Sequence, residues 1–186
     1  MAPEILHRVI HGSSNPSQAQ INLLNIEPAI LHDFRRCRVL DCDYPGIIPA
    51  KGSSVRGTYV TGLTDGDIWR LDIFEGDQYE KQTVKVKILN QIGDDESVGN
   101  VEGEEVEANS YVWADDEDYL DKKEWDYAEF RREKMMRHWV RRNSYDEVDE
   151  AVEAANGDPT GGRGHGGSIT TELEKVAEEK RMKGLE

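Results

Sequence analysis

The sequence predicts a small α+β domain with a disordered C-terminal tail, and three features of the chain point to this class. Short strand-like segments alternate with short helical segments up to about residue 114, and a longer helical pattern covers residues 121–142. After residue 145 the composition becomes too polar and glycine-rich to pack. The 186 residues are 37% apolar and 33% charged, so the chain can bury one core while parts of it stay unpacked.

Four segments have the residue pattern of strands: 36–41, 55–61, 81–89 and 111–113. Residues 81–89 alternate most clearly between a polar and an apolar face, which is typical of an antiparallel strand with one solvent-exposed side. The polar face carries Thr83, Lys85 and Lys87, and the apolar face carries Val84, Val86 and Ile88. The acidic stretch 93–107 is predicted to be a solvated loop, because its many carboxylates favour contact with water.

Two short helices are predicted before the long one. Residues 3–10 have apolar side chains on one side, and Pro3 lies in the first turn, where proline is tolerated. The second helix starts near Thr64, because Thr64 and Asp67 form a variant of the capping box. It ends at Gly76, and its apolar residues recur at helical spacing: Ile68, Leu71 and Phe74.

Glu75, the last residue of this predicted helix, is the candidate general base. It lies where the helix dipole is negative and beside Phe74, and both effects disfavour a carboxylate and raise its pKa. A carboxyl group with a raised pKa can transfer protons near neutral pH. The alternative is a surface glutamate in front of a capping glycine, and spacing alone favours this alternative because perturbed sites are few.

Composition divides the chain into three parts. Residues 1–145 form the predicted domain, residues 146–167 a flexible, glycine-rich linker, and residues 168–186 a charged helical tail. The long helix carries basic residues that either face a partner or pair with acids of the domain, and internal pairing is the favoured interpretation. These residues are Arg131, Arg132, Lys134, Arg137, Arg141 and Arg142. The sequence does not identify a protein partner.

The charge of the chain excludes several classes of partner. Thirty-eight acidic against 23 basic residues give a net charge of −15, which argues against a nucleic acid or an anionic membrane. The sequence shows neither a signal pattern nor an apolar run of the roughly 18–20 residues that span a membrane, so a cytoplasmic protein is predicted. Cys37 and Cys42 match no metal or redox motif and are predicted to be free thiols.

Several common catalytic and metal motifs are incomplete in this sequence. His7 and His11 stand four apart, but the glutamate that follows the first histidine in a zinc hydrolase helix is missing. Residues 161–164 are glycine-rich, but no strand precedes them as it would in a phosphate loop. No Gly-x-Ser-x-Gly nucleophile motif occurs. The sequence therefore predicts no metal and no cofactor, and any catalysis depends on an acid.

An ordered set of motifs runs through the first half of the chain. The motifs are Tyr44-Pro45-Gly46-Ile47-Ile48-Pro49, Val55-Arg56-Gly57-Thr58-Tyr59, Gly62-Leu63-Thr64, Leu71-Asp72-Ile73-Phe74-Glu75-Gly76, and Tyr79 before a valine-rich strand. In this order they resemble the gamma-glutamylcyclotransferase-like family, near its fungal and plant avirulence-induced-gene branch. The resemblance covers roughly residues 1–142. It implies a small mixed, largely antiparallel sheet curled toward a barrel with flanking helices.

The resemblance also implies an activity, because Glu75 matches the family's catalytic glutamate. In that family the glutamate takes a proton from the α-amino group of a γ-glutamyl amine or peptide, and the amine attacks the γ-carbonyl to release 5-oxoproline and a free amine. No metal or cofactor is required. Tyr79 and Tyr44 are candidates for lining the substrate pocket, although packing of a tyrosine ring at a strand end explains each of them equally well.

Two departures from the family pattern affect the functional prediction. The family's first strand ends in a Tyr-Gly-Thr-Leu loop whose backbone amides hold the substrate, whereas this sequence begins with a segment resembling the one after that loop. Loss of one preorganised donor can cost about 100- to 1,000-fold in rate. Lys81 stands where the family often has arginine, which would weaken a bidentate carboxylate contact. Three hypotheses follow: a cyclotransferase that needs residues upstream of Met1, a catalytically inactive binding or interaction module of the same fold, or an unstable fragment without a function.

Overall fold

A computed structural model describes residues 1–13, 15–94, 97–139 and 145–155, with the backbone alone at residues 122 and 136–139. Its sheet has five strands: β1 (Asn25–Val39), β2 (Pro45–Thr61), β3 (Tyr79–Gln91), β4 (Val101–Trp113) and β5 (Leu120–Glu124). The strand order is β2-β1-β3-β4, and β5 pairs with β1. The pairs β1 with β3, β3 with β4, and β1 with β5 are antiparallel. The predicted α+β class with a largely antiparallel sheet is confirmed, whereas its curl toward a barrel stays a prediction.

Strand β1 pairs with three other strands, β2, β3 and β5. Its first half pairs with β3, where Ala29 lies opposite Ile88, and its second half pairs with β5, where Cys37 lies opposite Glu124. The backbone N–H of Trp125 extends this second contact by donating to the carbonyl oxygen of Arg36 at 3.1 Å. The residue that follows β5 is therefore still hydrogen-bonded to the second half of β1.

The predicted strands 36–41 and 55–61 are only parts of much longer strands, β1 and β2. Near its middle, β1 includes Asp33 with a φ of 63°, which interrupts the alternation on which the prediction depended. The first half of β2 contains Pro45, Gly46 and Pro49, residues that usually indicate a turn. In this chain they lie within a strand, so the predicted start of β2 was wrong.

The acidic stretch predicted as a loop is wrong from residue 101 onward, because these residues form β4. Their carboxylates face basic side chains across the sheet, as in Lys87 Nζ to Glu102 at 2.7 Å and Lys85 Nζ to Glu105 at 3.3 Å. Glu102 also lies 2.8 Å from His32 Nε2 on β1. Opposite charges on neighbouring strands make an acidic strand possible. The composition of one segment does not reveal the charges that will lie opposite it.

The predicted long helix over residues 121–142 is also wrong at its start. Its first residues form β5, and helix α4 (Tyr127–Glu129) begins only after Asp126, whose side chain accepts a hydrogen bond from the backbone N–H of Glu129 at 2.9 Å. The helix continues as a π-helical segment, Phe130–Trp139. Capping by Asp126 and pairing of β5 with β1 together override the helical pattern.

Part of the basic face of this helix pairs internally, as the sequence favoured. Lys134 Nζ lies 2.6 Å from Asp43 Oδ1, and the Arg132 guanidinium lies 2.9 Å from Glu133 Oε1. The side chains of residues 137, 141 and 142 lie outside the described residues.

The other helices follow local capping signals. Helix α1 (Pro3–His11) is confirmed and ends at Gly12, which has a φ of 67°. A short helix, α2 (Gln18–Ile21), starts with a capping box. Helix α3 (Asp65–Glu75) is confirmed, and helix α5 (Asp146–Ala154) lies within the segment predicted to be a flexible linker. The predicted tail, 168–186, lies outside the described residues, and the proposed domain boundaries stay predictions.

The chain divides into two compact units. The sheet unit comprises Met1, Ile26–Val60 and the chain from Glu75 through the π-helical segment. Its core includes buried side chains from β1, β2, β4 and β5: Cys37, Val39, Ile48, Trp113 and Leu120. Glycine at position 46 lets β2 approach the Trp113 ring closely, because a Cβ atom at this position would lie 3.0 Å from that ring.

The helical unit comprises Ala2–Asn25, Thr61–Phe74 and α5. The buried guanidinium of Arg70 on α3 donates to the carbonyl oxygens of Val9 and Ile10 at 3.2 and 2.7 Å, which satisfies the last turn of α1. The Arg8 guanidinium makes two hydrogen bonds to Asp149 on α5, at 3.0 and 2.6 Å. Within the described part of the chain, no helix is long and apolar enough to cross a membrane.

Candidate active site

Helix α3 places Glu75 by means of capping signals at both of its ends. At the start, the Asp67 carboxylate accepts a hydrogen bond from the Thr64 backbone N–H at 2.8 Å, and Thr64 Oγ1 accepts one from the Asp67 N–H at 3.3 Å. At the end, Gly76 adopts a φ of 68°, a left-handed conformation that glycine adopts without strain. The predicted capping box and helix stop are confirmed, and Glu75 is the last helical residue.

The environment of Glu75 raises the pKa of its carboxyl group to about 7, and burial is the cause. The positive charge of the Met1 α-amino group opposes this shift, because a nearby cation favours the carboxylate. No hydrogen-bond donor from the described residues contributes to the pKa. A carboxyl group in this state is present in comparable amounts as acid and as base near neutral pH.

Tyr79 follows Glu75 by four residues and opens β3. Its hydroxyl donates to the carbonyl oxygen of Pro45 at 2.9 Å, and its ring meets the Trp113 ring edge to face, with 5.3 Å between centroids. Burial raises the pKa of this phenol, and the charge of Glu75 raises it further. Tyr79 therefore stays protonated, lies within electrostatic range of Glu75, and already uses its proton in a backbone hydrogen bond.

Tyr44 lies at the turn between β1 and β2 and belongs to the same neighbourhood. Its hydroxyl donates to Gln78 Oε1 at 3.2 Å. Burial, and then a hydrogen bond with the Cys42 side chain, raise the pKa of Tyr44 to about 12. The charge of Tyr44 also contributes to the raised pKa of Tyr79, so the two phenols lie within electrostatic range of each other.

The structure thus brings Tyr79 into range of both Glu75 and Tyr44. Both tyrosines also pack against the core of the sheet unit, together with Cys42, so the packing role that the sequence allowed is present. A substrate-binding role for them, and a catalytic role for Glu75, stay predictions at this point. Lys81, the residue that departs from the family pattern, is solvent-exposed on β3.

Sequence reasoning missed three residues of this region. Gln78 and Cys42 both hydrogen-bond to Tyr44, and Arg36 lies within electrostatic range of the Met1 α-amino group. None of the three has a local sequence signal, because their contacts depend on how the chain folds.

Metal ligation receives no support from the described residues, in which no three His, Cys, Asp or Glu side chains converge as ion ligands. The rings of His7 and His11 stack on each other, with 5.4 Å between centroids. Cys37 and Cys42 are free thiols, as predicted. The predicted absence of metal and cofactor stays a prediction.

The comparison with known proteins defines the class of protein to which this site belongs. Residues 9–129 match a family model described as gamma-glutamyl cyclotransferase, AIG2-like, and this match covers more than half of the chain. The chain therefore belongs to the gamma-glutamyl cyclotransferase, AIG2-like family, and the resemblance drawn from its motifs is confirmed.

Individual relatives come from the plant Arabidopsis thaliana. Protein AIG2 C is 31% identical over 104 residues, which are 56% of this chain and 56% of that protein, so the chain spans about half of its length. AIG2-like protein D is 33% identical over 132 residues, which are 68% of this chain and 80% of that protein. A solution structure of an Arabidopsis thaliana protein is 26% identical, with a TM-score of 0.46 over 87% of this chain and 84% of that one.

Proposed function

We propose that this protein is a gamma-glutamyl cyclotransferase in which Glu75 is the general acid and base. The observation that carries the proposal is the pKa of about 7 for a carboxyl group at the end of α3, in a chain that belongs to the cyclotransferase family. An ordinary solvated glutamate would be almost fully ionised at neutral pH and a weak proton acceptor.

The proposed reaction is an intramolecular transfer of an acyl group. The carboxylate of Glu75 takes a proton from the α-ammonium of a γ-glutamyl amine, and the free amine nitrogen attacks the γ-carbonyl carbon. The new C–N bond closes 5-oxoproline, and the bond from that carbon to the leaving nitrogen breaks as Glu75 returns its proton to that nitrogen. The ring nitrogen gives up its second proton to the released amine, which departs as an ammonium ion. Because both reacting groups belong to one molecule, the protein has to fold the substrate and supply one proton carrier.

Tyr79 and Tyr44 are assigned to holding the substrate and not to transferring protons. The Tyr79 hydroxyl is engaged with Pro45, and the raised pKa values of both phenols make either one a poor acid at neutral pH. In this proposal their rings line the substrate pocket near Glu75, whose carboxyl group is poorly hydrated because it is buried. The reaction as written balances without a metal, a cofactor or a redox partner, and we propose the cytoplasm as its location.

The test is an assay of 5-oxoproline and amine release from a panel of γ-glutamyl amines and peptides. It uses the 186-residue chain and also the protein isolated from its source. We expect Glu75→Gln to lower kcat about 100- to 10,000-fold with the fold intact, the usual contribution of one general acid-base group. Glu80→Gln, which neutralises an exposed carboxylate on β3, is the matched control and should retain wild-type activity.

Two results would contradict the proposal. Glu75→Gln with unchanged turnover would remove Glu75 from the chemistry. Absence of 5-oxoproline release from both protein preparations and every substrate would favour the second hypothesis, a non-catalytic module of the same fold.

A further inference from the structure

Arg36 lies against two aromatic rings in the sheet unit. Its Cζ atom is 5.2 Å from the centroid of the Trp125 ring and 5.9 Å from that of Tyr127. Trp125 is held in place by two hydrogen bonds, from its backbone N–H to the Arg36 carbonyl and from its indole N–H to the Asp43 carbonyl, both 3.1 Å. The rings stabilise the guanidinium charge but do not satisfy the five N–H groups it can donate.

The Arg36 side chain has no hydrogen-bond acceptor and no ion pair among the residues that the structure describes, and its Nε is buried without a partner. Other arginines of the described chain donate side-chain hydrogen bonds to protein acceptors: Arg8 to Asp149, Arg38 to the Cys42 carbonyl, and Arg70 to two carbonyls of α1. Burial lowers the pKa of Arg36, although the charges of Glu124 and Asp126 act in the opposite direction.

A partly desolvated guanidinium without an acceptor is costly, because arginine does not lose its proton in proteins. Such a group is explained when a ligand supplies the missing acceptor. Planar N–H pairs match the two oxygens of a carboxylate, so the ligand chemistry that fits is an organic carboxylate. Arg35 also has a buried Nε without a partner, but its guanidinium lies over no described ring.

The position of Arg36 relates it to Glu75 through a common neighbour. The backbone of Met1 is held beside β2 by a hydrogen bond from Thr58 Oγ1 to its carbonyl oxygen at 3.5 Å. Its α-amino group lies within electrostatic range of both Glu75 and Arg36. Glu75 and Arg36 therefore belong to one electrostatic neighbourhood of the sheet unit.

We propose that Arg36, backed by Trp125 and Tyr127, binds the α-carboxylate of the γ-glutamyl substrate, while Glu75 faces the α-amino group on the same carbon. This inference rests on the proposed function, since that function supplies a ligand with both groups. Arg36 and Glu75 together recognise the α-carboxylate and α-amino groups of the γ-glutamyl part of the substrate. They place no constraint on the amine that is released. Arg36 is thus a positioning residue that orients the amine for attack.

The first experiment measures binding of two rings that differ only in a carboxylate: 5-oxoproline and 2-pyrrolidinone. Calorimetry or NMR titration compares the wild-type chain with Arg36→Met and Arg36→Lys, and with Arg132→Met as a control for loss of an exposed arginine. We expect Arg36→Met to weaken 5-oxoproline binding about 10- to 100-fold, the range for a charged hydrogen bond, and to leave 2-pyrrolidinone binding unchanged. Arg36→Lys should recover part of the loss, and Arg132→Met should match wild type.

The second experiment repeats the comparison in turnover, with a γ-glutamyl amine and the 4-aminobutanoyl amine that lacks its carboxylate. Arg36→Met should lower kcat/KM for the first substrate and leave the second unchanged. Equal losses on both substrates would assign Arg36 a merely structural role, and unchanged 5-oxoproline binding in Arg36→Met would overturn the inference. If carboxylate-dependent binding persists while wild type shows no turnover, the proposed function fails and the binding site stands. If wild type binds neither ring, the inference about Arg36 fails, and the turnover assay alone decides the proposed function.

Discussion

At the scale of the residue, the proposed reaction depends on the carboxyl group of Glu75, whose pKa is raised by burial to about 7. The shift links catalysis to stability, because the folded protein holds a proton that the unfolded chain releases. Between the ordinary pKa of 4.5 and the raised value of about 7, the free energy of unfolding therefore falls as pH rises. Below this window the carboxyl group is protonated in both states, and above it the group is ionised in both.

Replacing Glu75 by Gln removes this titration, so we expect the variant to gain stability relative to wild type as pH increases. The expected difference between about pH 4.5 and about pH 8 is about 2–4 kcal/mol, from roughly 1.4 kcal/mol per pKa unit. Urea denaturation of both proteins across this range provides the measurement. A stability difference that does not change with pH would show that Glu75 is well hydrated in the folded protein.

Tyr79 is expected to act through its ring and its position. Tyr79→Phe removes the hydrogen bond to the Pro45 carbonyl and should cost about 0.5–1.5 kcal/mol of stability, while the edge-to-face contact with Trp113 remains. We expect kcat to change by less than about tenfold, because the phenol of Tyr79 transfers no proton in the proposed reaction. The measurements are urea denaturation and steady-state kinetics. A loss of kcat as large as that of Glu75→Gln would place the phenol in the chemistry.

At the scale of the element, α3 is the part of the fold that the sequence predicted best. Thr64, Asp67 and Gly76 are local signals that act within a few residues, so a single segment is enough to recognise them. Elements that depend on distant partners were predicted poorly. Strand β4 is acidic and becomes a strand because lysines of β3 lie opposite it, and β5 becomes a strand because β1 offers it an edge.

The N-terminal cap of α3 gives a test at this scale. Thr64→Ala removes the acceptor for the Asp67 backbone N–H and should lower the free energy of unfolding by about 0.5–2 kcal/mol. Thr64→Ser keeps the hydroxyl and is the matched control, which should lie near wild type. Thermal or urea unfolding distinguishes the two, and equal stability of all three proteins would show that the cap contributes nothing to α3.

At the scale of the whole molecule, the net charge of −15 is the dominant long-range property. Like charges in a compact chain repel each other, and salt screens this repulsion. We expect the melting temperature to rise with sodium chloride up to about 0.3 M, since the exposed Lys–Glu pairs that salt weakens contribute little each. Calorimetry over a salt series measures this, and a melting temperature that falls with salt would mean that attractive pairs outweigh the repulsion.

The candidate site could be predicted from the sequence only in part, for a related reason. Glu75 was found because its helix end and its family motif are both local, and Tyr79 and Tyr44 because they belong to the same motifs. Arg36 was missed because its significance depends on the rings of Trp125 and Tyr127, which lie about ninety residues further along the chain and reach it through the pairing of β5 with β1. Contacts that depend on the topology cannot be recognised from the sequence of a single segment.

The measurement that tests the central claim most directly is the pH dependence of kcat/KM for 5-oxoproline release, in wild type and Glu75→Gln. Because the basic form of Glu75 accepts the substrate proton, kcat/KM should rise about tenfold per pH unit and level off near pH 7, the raised pKa of this carboxyl group. In Glu75→Gln the residual kcat/KM should not show this rise with pH. A wild-type kcat/KM that is constant between about pH 5.5 and 8, or the same rise with pH in the variant, would contradict the assignment of Glu75 as the general base.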